Sequence, residues 1–62
     1  MTIEEQKQII RLTIARLERE NAQLIKLLET FGSQYDIDQI NDVLDLQLKN
    51  IELIEKLKRG LI

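Results

Sequence analysis

The fold class predicted for this chain is all-α: an antiparallel two-helix hairpin that dimerises into a four-helix bundle with coiled-coil-like packing. Three observations predict it. Apolar residues recur in alternating steps of three and four through two long stretches, the spacing that lines one face of a helix and, when sustained, a coiled-coil seam. A helix-starting signature opens each stretch, and one short connection containing Gly32 separates them. The apolar arc on each predicted helix is wider than a single neighbouring helix can cover.

The first helix is expected over about residues 3–31. Thr2-Ile3-Glu4-Glu5 has the form of a capping box, with Thr2 accepting from the Glu5 N–H and the Glu5 side chain reaching back to Thr2. Glu4 and Glu5 also sit in the first turn, where the helix dipole favours negative charge. No proline occurs in the chain and no glycine precedes Gly32, so the helix is predicted to run roughly 43 Å at 1.5 Å per residue. Its stripe is Ile10, Ile14, Leu17, Asn21, Leu24, Leu28 and Phe31. Asn21 stands where an apolar residue is expected; a lone seam asparagine fixes register or partner number at a cost in stability. Ala15 and Ala22 mark an edge where another helix can approach closely.

Residues 32–36 are expected to form the turn, with Gly32 in the left-handed conformation that often follows a helix end. Asp36 is the predicted N-cap of the second helix, with Gln39 at the capping-box position and Tyr35 and Ile40 spaced as a hydrophobic staple. So short a connection turns the second helix back along the first.

The second helix is expected over about residues 37–59. Its predicted stripe is Ile37, Ile40, Leu44, Gln47, Ile51, Ile54, Lys58 and Leu61, flanked by Val43, Leu48 and Leu57. Aspartates crowd its first half and Lys49, Lys56, Lys58 and Arg59 its second, a gradient that matches the helix dipole. Asp45–Lys49, Glu52–Lys56 and Glu55–Arg59 are spaced as i,i+4 ion pairs. Gly60 is the expected stop, after which Leu61 and Ile62 can fold back onto the apolar face.

Apolar residues span roughly 160° of the first helix and, with Leu46 and Leu53 included, roughly 220° of the second. A single domain of 62 residues with so wide a face calls for oligomerisation, because a core this small rarely supplies more than about 3–5 kcal/mol. Self-association is therefore expected through Ile10, Ile14, Leu17, Asn21, Leu24, Leu28 and Phe31 of the first helix and Leu44, Ile51 and Ile54 of the second. A homodimer is the primary expectation and a higher oligomer the alternative. Leu46, Leu53, Leu57 and Leu12, lying off the main stripes, are either bundle core or a ridge that docks another protein.

Composition removes most chemistry. The chain has no Cys and no His, which excludes disulfides, thiolate nucleophiles, imidazole acid–base catalysis and the usual zinc and di-iron ligand sets. No Gly-rich phosphate loop or Ser–His–acid set occurs, and Asp38, Asp42 and Asp45 fall on the solvent side by periodicity. An enzyme is not expected, nor a cofactor or a metal. The net charge of −2 gives no general attraction to nucleic acid or an anionic membrane. Arg11, Arg16 and Arg19 with Lys56 and Arg59 are nonetheless the candidate nucleic-acid contacts, since outer helix faces of a dimeric bundle can present a basic patch.

Met1 leads straight into a charged helical pattern, so no signal peptide is expected, and no apolar run is long enough to span a bilayer. The functional expectation is a soluble, cytoplasmic, non-enzymatic module of the kind bacteria and phages use as small regulators. It would be a homo-oligomeric adaptor or inhibitor that acts by binding a larger protein, the alternative being an RNA- or DNA-binding bundle.

Overall fold

A computed structural model describes residues 1–61 and shows two helices packed against each other: α1 over Ile3–Phe31 and α2 over Ile37–Arg59, joined by a 3-10 turn, Gly32–Gln34. The expected return of Ile62 onto the apolar face lies outside the described residues, whereas Leu61 does pack against the core. The hairpin is a rod of 47 × 16 × 15 Å.

Side-chain caps begin both helices. Thr2 Oγ1 accepts from the Glu5 N–H at 3.1 Å, the first half of the expected box. At α2 the box is complete: Asp36 Oδ1 accepts from the Gln39 N–H at 2.8 Å and Gln39 Oε1 accepts from the Asp36 N–H at 3.0 Å. Each bond satisfies a backbone group that the first turn of a helix leaves without an intrahelical partner. Gly32 departs from expectation. It is right-handed, at φ −58° and ψ −32°, because the chain tightens from α1 into the 3-10 turn instead of reversing through a left-handed residue. Gly60 is right-handed too.

The seam between the helices is narrow. Ile14, Leu17 and Ile54 are buried, with Ile10, Leu57 and Leu61 packed around them. The α1 side follows the expected stripe from Ile10 to Leu28; Phe31 at its end is exposed. The α2 side does not follow the expected one. The more buried positions are Ile40, Val43, Gln47, Asn50, Ile54, Leu57 and Leu61, while Leu44, Ile51 and Lys58 are exposed. Both patterns alternate steps of three and four through Ile40, Gln47, Ile54 and Leu61, so spacing does not separate them. The observed rotation keeps Lys58 out of the seam and brings in Leu57. It also gives Asn21 a partner.

That partner is Asn50, the most buried polar residue at 8% exposure. Asn50 Nδ2 donates to Asn21 Oδ1 at 2.9 Å, and Asn21 Nδ2 donates to the Gln47 carbonyl at 3.4 Å. Among the described residues no buried side-chain polar atom lacks a partner, as the desolvation penalty of an orphan would require. The asparagine bridge also sets the hairpin's register. Asn21 stands level with Asn50, and a side chain added at Gly60 would meet Ile10 Cδ1 at 3.6 Å. Residues of α1 and α2 at one level thus have numbers that total 70 or 71.

The three i,i+4 ion pairs expected along α2 are open. The ion pair found among the described residues instead crosses between helices, Lys58 Nζ to Glu18 Oε1 at 3.9 Å. Long exposed side chains gain little by adopting one geometry over another.

Candidate interaction surfaces

Among the described residues, twelve large apolar side chains are exposed, against three that are buried. Total area makes the same point. The chain exposes 5081 Å², whereas a folded monomer of its mass typically exposes about 4,200 Å², leaving an excess of roughly 900 Å².

Most of the exposed residues within the helices, together with half-buried Leu27 and Leu57, fall on two flanks. Helical positions advance about 100° per residue. From the α1 seam line, Phe31, Leu27 and Ile9 lie to one side and Ile25, Ala22 and Glu18 to the other. From the α2 seam line, Leu57, Leu46 and Leu53 lie to one side and Ile51, Leu44, Ile37 and Leu48 to the other. The Glu18–Lys58 bridge identifies which sides match. Ile25 of α1 therefore shares a flank with Ile37, Leu44, Leu48 and Ile51. Ile9, Leu27 and Phe31 share the opposite flank with Leu46, Leu53 and Leu57.

The flanks differ in how their apolar residues are spread. On the Leu46–Leu53 flank they extend from Ile9, near the chain ends, to Phe31, at the turn. Two shallow grooves open on the α1 side of this flank. One, of 340 Å³, is lined by Gln23, Lys26, Leu27, Thr30 and Phe31; the other, of 210 Å³, by Ile9, Leu12, Thr13 and Arg16. On the Leu44–Ile51 flank the apolar residues gather in the half nearer the turn, and Arg11, Glu18 and Lys58 occupy the half nearer the termini.

Of the ten residues expected to mediate self-association, Ile10, Ile14, Leu17, Asn21, Leu24, Leu28 and Ile54 are half-buried or buried within the hairpin itself. Phe31, Leu44 and Ile51 remain exposed. Among the residues considered for docking, Leu46 and Leu53 are each 44% exposed, Leu57 packs on the hairpin core, and Leu12 is 60% exposed on the back of α1. The interhelical asparagine bridge was only half visible in the sequence. Asn21 is conspicuous in its stripe, whereas Asn50 lies outside the stripe expected for α2.

The candidate nucleic-acid contacts do not converge. Arg16 and Arg19 lie on the back of α1, Lys56 and Arg59 on the back of α2, and Arg11 on the Glu18 flank, so the hairpin body separates the two pairs. Near Lys56 and Arg59 the surface is mixed, with Glu52 and Glu55 lining the same shallow depression. No group of acidic side chains able to hold a metal ion occurs among the described residues, and no helix among them is long and apolar enough to cross a membrane. Comparison with protein-family models, curated proteins and solved structures gives no match.

Proposed function

We propose that the chain is a non-enzymatic protein-interaction module. It self-associates, as a homodimer forming a four-helix bundle, and regulates or adapts a larger protein by binding it. The observation that carries this reading is the apolar surface on both flanks of the hairpin. A two-helix hairpin with three buried apolar side chains among its described residues has too small a core to hold helices of this length in water. A second copy supplies what is missing. If each copy buries the excess of about 900 Å², the interface totals roughly 1,800 Å², within the range of stable protein–protein contacts.

Two opposed apolar flanks allow one to complete the bundle while the other stays available for a different protein. An exposed patch of leucine and isoleucine rimmed by charge is a common form for such a site. The charged side chains, by contrast, are dispersed over the outer helix faces, where Glu52 and Glu55 share an open depression with Lys56 and Arg59.

Sedimentation velocity across a hundredfold range of concentration tests the reading. A dimer that persists through the range, with helical circular dichroism intact, is the expected result. A folded monomer throughout would refute self-association as the means of completing the core.

A further inference from the structure

We propose that the second copy docks on the Leu46–Leu53 flank in antiparallel orientation, the turn of each hairpin lying over the open end of the other. This rests on the self-association reading above and assigns its face and direction.

Charge supplies the first support. Cut the hairpin just beyond the asparagine bridge. The turn side, residues 23–48, carries five acids and one base, net −4; the open side, residues 1–22 and 49–62, carries eight bases and six acids, net +2. The asymmetry runs along α2 behind Leu46 and Leu53: Asp38, Asp42 and Asp45 stand in its first half without a base, and Lys49, Lys56, Lys58 and Arg59 outnumber Glu52 and Glu55 in its second. Stacking two such faces about a two-fold axis across the rod sets α2 antiparallel on α2. Each acidic start then meets a basic end. Rotation about the long axis would instead place both acidic turn regions at one end of the bundle. Opposite charges at an interface rim steer encounter and select orientation more than they add affinity.

Position supplies the second support, independent of charge. In the antiparallel arrangement α1 lies on α1, and Ile9 of one copy meets Phe31 of the other if the two-fold axis passes at residue 20. On α2, Leu46 of one copy meets Leu57 of the other if it passes between residues 51 and 52. The register set by the Asn21–Asn50 bond puts residue 20 level with residue 51. One axis therefore satisfies both pairings, and Leu53 falls close to it. The Leu44–Ile51 flank offers no such solution, because its apolar half would be laid over Arg11, Glu18 and Lys58 of the second copy.

The chain has no cysteine, which makes disulfide trapping a direct test. Within one chain, residues 9 and 31 are 22 positions apart on a straight helix, roughly 33 Å, far beyond the reach of a disulfide. In the double variant Ile9→Cys/Phe31→Cys, mild oxidation should give a covalent dimer as the main product, with each single variant remaining non-covalent. Ready cross-linking of Phe31→Cys alone would place the turns together and overturn the orientation. A wild-type dimer whose double variant gives no covalent product would overturn it as well. For the face, Leu53→Glu should shift the wild-type dimer toward monomer by at least tenfold in dissociation constant, and Ile51→Glu should leave it unchanged; the reverse pattern would overturn the assignment. A wild-type chain that is monomeric at every concentration would instead refute self-association itself.

Discussion

Asn21→Leu and Asn50→Leu, made singly and together, probe the hairpin's polar bridge. In the native protein Asn50, 8% exposed, donates to Asn21 Oδ1 at 2.9 Å. Asn21→Leu removes that acceptor and leaves a buried amide without its partner, a change that costs about 1–3 kcal/mol. The leucine it introduces regains part of this, since full burial of such a side chain contributes roughly 1.5–3 kcal/mol and Asn21 is only half-buried. The single variant should therefore melt at or below the wild-type temperature. Spacing alone points the other way, because an unpaired seam asparagine only costs stability. The double variant leaves no orphan and should melt higher, by about 4–8 °C for each kcal/mol gained in a chain of this size. Circular dichroism melts of all four proteins at one fixed concentration give the coupling energy, expected at 1 kcal/mol or more in the range seen for contacting polar pairs. Coupling indistinguishable from zero, or a single variant as stable as the double, would refute the bridge.

Other consequences are simpler to check. Gly32→Ala should raise stability by about 0.4–1 kcal/mol in a denaturant titration, since Gly32 is right-handed and nothing lies within 4 Å of an added methyl group; a loss would show that the glycine is left-handed after all. Asp36→Ala should cost about 0.5–2 kcal/mol by removing the acceptor of the α2 capping box. Lys58→Ala should change stability by less than about 0.5 kcal/mol, because both ends of its bridge to Glu18 are more than half exposed. Leu44→Glu together with Ile51→Glu should preserve the dimer's mass while abolishing chemical cross-linking to a larger protein in extracts of the native cell; unchanged cross-linking would rule out that flank as the docking site.

The hairpin was legible because its signals are local. Thr2 and Asp36 can satisfy backbone groups within one turn of themselves, and the breaks between apolar stretches fall where the caps stand. What stayed hidden depends on the other helix. The rotation of α2 is undetermined by spacing, since two stripes with the same period run through Ile40, Gln47, Ile54 and Leu61. The choice between them is made by Asn21 across the seam, which needs Asn50, and by Lys58, which needs water. The Glu18–Lys58 bridge was illegible for the same reason: no offset along one helix announces a contact between two. The handedness of Gly32 is not fixed by the sequence, because a glycine after a helix fits either a left-handed cap or a tightened 3-10 turn. The two-flanked surface was visible only as an arc too wide for one neighbour, and its division waited on the register between the helices.

Solution mass over a wide concentration range addresses most directly the claim that a second copy completes this core. A particle of twice the 7.3 kDa chain mass, persisting on dilution and melting at a temperature that rises with concentration, is the predicted result. A fully helical, cooperatively melting monomer of constant mass would contradict it.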